Sequence, residues 1–320
     1  MDLGHRLNIA KVEASLLKGF RDYMDSQGFI EVQVPHITKA TGACENVATM
    51  FYLDYFGRRA YLTQTAQLHL EILSQLIDTG RVYTLIRSFR AEPEVDDRHL
   101  TEFSLFEFEH VGGFNELLRH IEYTIYWGVE RVAEERQDIL RKYGVDGGWL
   151  EQFKPPFKRM RYKDAIDFLN EKGFNLEYGD DLKHVHEKVI ASEFGPTFVT
   201  HWPKHLKFFN MREDPDNPSE VISADLELPF VGESVGSAER EYRYKRLYER
   251  LVESDMYRML IEYGGDVSDW DWYLEFWRTI ENPMLHSGCG IGVSRVVQSL
   301  LKLGNIKEAV VYPMDRLSIY

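Results

Sequence analysis

The sequence predicts an α+β protein in which helices flank a mainly antiparallel sheet. The first predicted helix, residues 9–27, has apolar positions at i, i+4 spacing and is followed by a glycine. Residues 29–34 then alternate between apolar and polar side chains and stop at a proline, as edge strands do. At the centre of the chain, residues 89–109 contain two strand-like runs joined by an acidic loop, which predicts an antiparallel hairpin.

The other predicted elements extend this pattern along the chain. Residues 68–79 and 114–143 have helical periodicity. Residues 144–192 contain Gly-Gly, Pro-Pro and Gly-Asp-Asp turns, so we expect a small helical insertion there rather than a separate domain. Beyond it the sequence predicts strands at 197–200, 208–211 and 220–228, and a charged helix at 239–254.

Composition limits the classes of protein to be considered. The chain has 320 residues, of which 44% are hydrophobic and 28% are charged, as in soluble globular proteins. No apolar run is long enough for a membrane span, and charges interrupt the N-terminal apolar stretch, which argues against a secretion signal. Cys44 and Cys289 are too few for a disulfide framework or a cysteine zinc site. We therefore expect a protein of the reducing cytoplasm.

The net charge of −14 bears on possible partners. Affinity for a large RNA comes mainly from neutralised phosphates, and proteins that bind one usually have a basic face. No segment of this sequence is strongly basic. On this ground tRNA is not an expected partner.

The central hairpin contains the first group of candidate site residues. Its strand ends and loop bring guanidinium, imidazole, carboxylate and aromatic side chains towards one cleft. Guanidinium groups bind phosphates, aromatic rings stack on bases, and carboxylates hold Mg²⁺, so the mixture suits a nucleotide. A surface hairpin with many salt bridges is the alternative interpretation of the same pattern. The residues concerned are Arg90, Glu92, Arg98, His99, Glu102 and Phe103.

Three further groups have both a functional and a structural interpretation. Gln64 and Gln67 lie between a strand and a helix, where they suit a small polar ligand or cap the helix. Asp225 and Glu233 lie on neighbouring strands near a glycine turn, where they suit Mg²⁺ or simply face solvent. The glycines at alternate positions in 288–292 allow close approach of a ligand to the strand, although this pattern alone is weakly specific.

Taken together, these segments resemble the catalytic domain of class II aminoacyl-tRNA synthetases. Gly28–Pro35 resembles motif 1, Phe89–Glu92 with Arg98–Phe103 resembles motif 2, and Gly288–Arg295 resembles motif 3. The resemblance covers residues 5–313 and is greatest for the aspartyl and asparaginyl subgroup. The phrases that match this subgroup are RHLTEF, GACEN, LTQTAQL, FVTHWPKHLKFF and AERE.

The resemblance implies a six- to seven-stranded sheet, a homodimer, and roles for individual residues. Arg90 and Arg295 are the expected catalytic residues, acting on ATP phosphates with Mg²⁺ held by Asp225 and Glu233. The expected ATP-binding residues are Arg90, Glu92, Arg98, His99, Leu100, Phe103, Gly292 and Arg295. The expected substrate-binding residues are Glu45, Gln64, Gln67, Arg240 and Gly288.

The resemblance also suggests a reaction. The family's tRNA-charging members have an N-terminal anticodon-binding OB domain, whereas the catalytic pattern here starts at once, so we expect one domain over residues 1–320. The chain is therefore similar to asparagine synthetases related to asparaginyl-tRNA synthetase, which join aspartate and ammonia through an aspartyl-adenylate and release AMP. The alternatives are transfer of activated aspartate, asparagine or a similar acid to another amine or to tRNA, and a non-catalytic amino-acid sensor.

The sequence departs from the family pattern near the expected pocket. The aspartyl enzymes carry a lysine for the substrate side chain in the helix after Gln-x-x-Gln, but residues 68–71 read Leu-His-Leu-Glu, closer to the asparaginyl type. Ser294 replaces the usual acid of motif 3, and Ser237 and Ala238 alter the Gly-Gly-Ser phrase. Which acid is activated therefore stays open at this point.

Overall fold

The computed structural model describes residues 2–40 and 47–320. The strands in these ranges are β1 Ile30–Glu31, β2 Ile37–Thr38, β3 Tyr52–Tyr55, β4 Arg58–Leu62, β5 Arg81–Phe89, β6 Glu102–Val111, β7 Lys158–Arg161, β8 Thr197–Pro203, β9 Glu220–Leu228, β10 Gly232–Glu239 and β11 His286–Gly292. The α-helices are α1 Leu3–Ser26, α2 Gln67–Leu76, α3 Phe114–Glu135, α4 Gln137–Lys142, α5 Gly147–Glu151, α6 Tyr162–Glu171, α7 His184–Phe194, α8 Tyr244–Glu253, α9 Asp255–Glu262, α10 Asp271–Thr279 and α11 Val293–Leu300.

The main sheet has the strand order β1-β5-β6-β11-β10-β9-β8-β7. The five pairings among the six strands from β5 to β8 are all antiparallel, and the two short edge strands β1 and β7 each pair in parallel. The expected α+β class with a mixed, mainly antiparallel sheet is confirmed. The sheet has eight strands instead of six or seven because both edges gain a short strand.

The predicted central hairpin is formed by β5 and β6. The register runs from Arg81 opposite His110 to Phe89 opposite Glu102, and residues 90–101 form the connecting loop. Along β6 the side chains alternate between the two faces of the sheet. Phe106 packs edge to face on Phe20 of α1, with ring centroids 5.2 Å apart, and so belongs to the core on that face.

The helices α1 and α3 cover the core face of the sheet and pack closely against each other. A methyl group on Gly19 would lie 2.3 Å from the Trp127 carbonyl oxygen, and one on Gly128 would lie 2.4 Å from the Phe20 ring. The two helices approach this closely because both contact positions lack a side chain. The single helix predicted at 114–143 is interrupted at Arg136, whose backbone leaves the helical region.

Two predictions about the second half of the chain are wrong. Residues 144–192 include β7, which adds a strand to the edge of the sheet, so this segment is not purely helical. Residues 208–211 form no strand, since within the described ranges only Met211 makes an isolated bridge, to Arg240. None of the described helices is both long and apolar enough to cross a membrane.

Candidate active site

A cavity lies on the face of the sheet opposite α1 and α3. Its walls come from the 90–101 loop, the start of α2, the strands β9 and β10, and the junction of β11 with α11. The structure brings most of the predicted site residues to this one place. Those lining the cavity are Gln64, Gln67, Arg90, Glu92, Arg98, His99, Leu100, Phe103, Asp225, Glu233, Arg240, Gly292 and Arg295.

Two predicted site residues are not among the lining residues. Glu45 lies outside the described residues. Gly288 lies behind the cavity, where its carbonyl oxygen accepts a hydrogen bond of 3.0 Å from Arg240. A methyl group at position 288 would lie 1.8 Å from Glu109 Oε2, so glycine is needed there to make room for a protein carboxylate. Its contribution to a substrate site is therefore indirect.

Arg90 and Phe103 form one side of the cavity near its mouth. The Arg90 guanidinium lies over the Phe103 ring, with 5.5 Å from Cζ to the ring centroid. Within the described part of the chain, the buried Nε of Arg90 has no hydrogen-bond partner. A buried N–H group without a partner is energetically unfavourable, so this side of the cavity is suited to an anion.

The end of the loop is held in place by Asp96. Its Oδ1 accepts the backbone N–H groups of Arg98 and His99 at 2.9 and 2.8 Å, and its Oδ2 lies 2.7 Å from His99 Nδ1. Burial by itself raises the pKa of Asp96, but these hydrogen bonds outweigh it and leave the pKa lowered. Arg98 forms an ion pair with Glu187, with 3.7 Å between its Nη2 and Glu187 Oε2. The loop thus presents a guanidinium and an imidazole to the cavity in a defined arrangement.

Arg295 closes the opposite side of the mouth from the first turn of α11. Its guanidinium donates to the Glu233 carbonyl oxygen and lies 3.8 Å from Glu233 Oε2. Gly292 precedes it, and a methyl group there would lie 3.3 Å from the Ser234 carbonyl oxygen. The close packing of β10 against this turn places Arg295 in the lining of the cavity that also contains Phe103.

Asp225 and Glu233 form an acidic pair between β9 and β10. The two carboxylates face the same space, because a methyl group on Gly236 would lie 3.7 Å from Glu233 Oε1 and 4.0 Å from Asp225 Oδ1. Lys207 forms an ion pair with Asp225 Oδ2 at 2.5 Å. Oxygen ligands from two carboxylates that line the same cavity fit the chemistry of Mg²⁺.

Arg240 lines the floor of the cavity, and two buried carboxylates, Glu109 and Glu71, lie directly behind it. Arg240 is 4% exposed, and its Nε lies 3.6 Å from Glu109 Oε1 and 3.9 Å from Glu71 Oε1. Gln67 donates from its side chain to Glu109. Burial raises the pKa of Glu109 well above its usual value, Arg240 opposes this shift, and the nearby Glu71 adds to it.

No separate role was predicted for Glu71 from the sequence, although its carboxylate lies close to Arg240 of the site. Its oxygens accept hydrogen bonds from Asn210 Nδ2 at 2.6 Å and from the Tyr273 hydroxyl at 2.5 Å, and His286 Nε2 lies 3.5 Å away. One feature of the sequence could have identified it, because Glu71 is a charged residue on the apolar side of a predicted helix. An acid at such a position needs buried partners, which sequence spacing does not identify.

The acids of β6 were also misjudged. The alternation of apolar and acidic residues predicts a half-buried strand, but Glu107 and Glu109 are both fully buried. Glu107 accepts hydrogen bonds from Thr65 Oγ1 at 2.5 Å and from the Ala66 N–H at 2.6 Å, so the start of α2 covers this face. Burial raises the pKa of Glu107 to about 7, although these two hydrogen bonds oppose the shift.

The chain matches the family model described as tRNA synthetases class II (D, K and N) over residues 4–316. It is 38% identical over 315 residues to the asparagine–tRNA ligase of Pyrococcus horikoshii, covering 98% of this chain and 69% of that protein. It is 36% identical over 309 residues to the asparagine–tRNA ligase of Thermoplasma acidophilum, covering 96% of this chain and 68% of that protein.

Solved structures give the same relationship. The P. horikoshii asparaginyl-tRNA synthetase complexed with asparaginyl-adenylate superimposes with a TM-score of 0.90 at 36% identity, covering 99% of this chain and 70% of that one. The asparaginyl-adenylate complex of the Entamoeba histolytica asparaginyl-tRNA synthetase superimposes with a TM-score of 0.82 at 31% identity, covering 97% of this chain and 68% of that one.

These matches overturn one expectation. The net charge of −14 was the ground for expecting no tRNA partner, yet relatives matched over nearly the whole chain are asparagine–tRNA ligases. The expectation is wrong because net charge sums over the entire surface, whereas binding of a nucleic acid depends on the local charge of one face.

Proposed function

Because the chain belongs to the class II tRNA synthetases of the D, K and N family, we propose that it activates an amino acid with ATP and transfers it to tRNA. In the first step a carboxylate oxygen of the amino acid attacks the α-phosphorus and pyrophosphate leaves, which produces an aminoacyl-adenylate. In the second step a tRNA hydroxyl attacks the acyl carbon, and AMP leaves with the electrons of the acyl–oxygen bond. The single observation that supports this proposal best is the Arg90 guanidinium over Phe103, whose buried Nε has no hydrogen-bond partner among the described residues.

The mouth of the cavity is proposed as the ATP site. Phe103 offers a face for the adenine ring, with Arg295 closing the other side and reaching the terminal phosphates. Arg90 would bind the α-phosphate, and Arg98 with His99 would meet the β- and γ-phosphates. These groups stabilise the negative charge that increases on the phosphate oxygens as the bond to pyrophosphate breaks. Positioning and electrostatic stabilisation are the main requirements of this chemistry.

Asp225 and Glu233 are proposed to hold Mg²⁺, which would neutralise phosphate charge during the attack. The shared space between the two carboxylates supports this assignment. Lys207 already neutralises one oxygen of Asp225. The Lys207 ammonium group therefore competes with Mg²⁺ for the Asp225 carboxylate.

The floor of the cavity is proposed to select asparagine. A carboxamide needs one partner that donates and one that accepts. Arg240 lines the floor as a donor, and Asn210 lines it with an Oδ1 that has no hydrogen-bond partner among the described atoms. An aspartate carboxylate has no N–H group to donate to the Asn210 Oδ1, whereas the amide of asparagine can donate there. The floor thus supports the amide over the acid.

Synthesis of asparagine from aspartate and ammonia requires aspartate as the activated acid. The acceptor of Asn210, which has no hydrogen-bond partner among the described residues, disfavours that substrate, and the relatives named above are tRNA ligases. Ammonia is therefore the less supported acceptor for the acyl group.

The test is ATP–pyrophosphate exchange with asparagine and aspartate supplied separately. We expect exchange with asparagine, and transfer of the labelled amino acid when tRNA is added. Exchange only with aspartate, followed by formation of asparagine and AMP on adding ammonium, would replace the proposal by the aspartate–ammonia ligase. Absence of exchange with both amino acids, and of ATP binding by calorimetry, would favour the non-catalytic sensor.

A further inference from the structure

A second group of polar side chains lies away from the cavity, where the end of β6 meets the start of α3. His110 ends the buried part of β6, and Glu116 and His120 lie at i, i+4 spacing on α3. One ligand atom from each of these three residues lies within 4.8 Å of the other two. We propose that these residues form a binding site for a divalent transition metal ion such as Zn²⁺, distinct from the active site and independent of the proposed function.

The geometry of the three side chains supports a shared ion. His120 Nε2 lies 3.5 Å from Glu116 Oε1, and His110 Nε2 lies 4.0 Å from Glu116 Oε2. Two ligands of a tetrahedral zinc ion are separated by about 3.4 Å, given metal–ligand bonds of about 2.0–2.1 Å. A methyl group on Gly112 would lie 2.8 Å from both His110 Nε2 and Glu116 Oε2, so these atoms converge on one small space.

The histidines are available as ligands. Both side chains have no solvent exposure, and neither Nε2 atom has a hydrogen-bond partner among the described residues. The Tyr23 hydroxyl pairs with His120 Nδ1 at 2.9 Å, which orients the ring and leaves Nε2 facing Glu116. Burial lowers the pKa of His110 to about 3 and that of His120 to about 4. Both imidazoles are therefore neutral, the form that coordinates a metal ion.

The ligand set also indicates the kind of metal ion. Two imidazoles and one carboxylate suit Zn²⁺ and related ions, whereas Mg²⁺ prefers oxygen ligands only. The Glu116 side chain is 31% exposed, which leaves a route for the ion and room for a water ligand. A bound ion would connect the end of β6 to the first turns of α3. The expected effect is a higher melting temperature.

Arg81 competes with the metal ion for the Glu116 carboxylate. Its guanidinium donates to Glu116 Oε1 at 3.1 Å and to the Gln27 carbonyl oxygen at 2.7 Å. An ion bound to Glu116 must share this carboxylate with a positive charge, which weakens its binding. Replacement of Arg81 by glutamine removes that charge and should increase affinity for the ion.

The experiment measures Zn²⁺ binding by calorimetry on the full chain after treatment with a chelator. Co²⁺ serves as a second probe, because its visible spectrum reports nitrogen and oxygen ligands. We expect one ion per chain, with an affinity reduced at least about tenfold in Glu116→Gln and His120→Gln. Glu116→Gln keeps an acceptor for Arg81 and a partly exposed position, so it is the variant expected to retain the fold. His205→Ala, which removes an exposed histidine elsewhere, is the matched control and should bind Zn²⁺ like the unaltered chain.

Three results would overturn the site. The first is failure of the unaltered chain to bind one equivalent of Zn²⁺. The second is unchanged affinity in Glu116→Gln, with circular dichroism confirming its fold. The third is unchanged or weaker affinity in Arg81→Gln, since removal of the competing charge must strengthen a site at Glu116.

Discussion

The carboxylates at the floor of the cavity are buried and accept hydrogen bonds from other parts of the protein. The cations at its mouth are less fully paired, and Arg90 is the clearest case. At the floor, Glu71 has hydrogen bonds from Asn210 and Tyr273, and Glu107 has two more from the start of α2. At the mouth, Arg90 has a buried Nε without a hydrogen bond in the described structure. The floor is therefore organised before a ligand arrives, and the mouth is completed by the ligand's own charge.

This contrast connects position in the cavity with the kind of damage that a substitution causes. At the floor, a change disturbs contacts that the folded chain makes with itself, so both stability and activity should fall. At the mouth, Arg90 has few contacts within the protein, so its replacement should lower activity while stability is largely kept.

The largest effect is expected from Arg90→Ala. Loss of a donor that acts on developing phosphate charge costs about 2.7–4 kcal/mol of transition-state stabilisation, or about a hundred- to thousandfold in rate. ATP–pyrophosphate exchange measures this loss, and the melting temperature should stay close to that of the unaltered chain. Arg87→Ala is the matched control, because Arg87 is exposed on β5, the strand that leads into Arg90, and its Nε lies 3.8 Å from Glu102 Oε1. Full activity in Arg90→Ala would remove the mouth from the proposed ATP site.

The next effect concerns pH and the floor. The folded chain holds a proton on Glu107 with a pKa of about 7, against 4.5 for an ordinary glutamate. The folded state therefore binds more protons than the unfolded state between these values, and the contribution of Glu107 to stability falls as pH rises from 4.5 to 7. The loss amounts to about 3 kcal/mol. Denaturant unfolding at several pH values should show this decline reduced in Glu107→Gln, and an identical decline in both proteins would contradict the assignment.

Gly288→Ala should be destabilising by about 2 kcal/mol, since its methyl group would collide with Glu109 and force the buried carboxylate to move. Chemical denaturation measures the loss, and activity should decrease with it because Glu109 contacts Arg240 and Gln67. Gly304→Ala is the control, because its methyl group would meet no described heavy atom within 4 Å. Equal stability of the two variants would show that the floor adapts more easily than its packing indicates.

The smallest effect is expected from Lys207→Gln at the acidic pair. Removal of the ammonium group takes away one positive charge that competes with Mg²⁺ for Asp225, so the Mg²⁺ concentration for half-maximal exchange should fall about threefold, in keeping with less than about 1 kcal/mol for a single ion pair. Lys204→Gln is the control, since Lys204 pairs with Glu213 outside the cavity. A raised Mg²⁺ requirement in Lys207→Gln would argue against Asp225 as a ligand.

Much of the fold followed from local patterns. The central hairpin, the helix before it and the glycine-containing strand were predicted because strands and helices have different periodicities, and turns have their own residue preferences. The gathering of Arg90, Phe103, Asp225 and Arg295 at one cavity was also expected, through the order and spacing of three short motifs.

The burial of the acidic side of β6 was not predictable in the same way. Alternating acids in a strand usually face solvent, and this sequence pattern is the same whether or not another element covers them. Here the start of α2 supplies Thr65 and the Ala66 N–H to Glu107, and Gln67 to Glu109. The same reasoning applies to Glu71, whose partners come from residues 139 and 202 positions further along the chain.

Periodicity and short motifs in the sequence were enough to predict the α+β class, the central hairpin and the chemical types of side chain at the mouth of the cavity. The folded structure was needed to show which acids are buried and which cations have a donor without a partner among the described residues. It was also needed to show that His110, Glu116 and His120 converge. The physical reason is that burial and pairing are properties of surfaces brought together from distant parts of the chain. A local sequence pattern describes one segment and does not show which distant segment will pack against it.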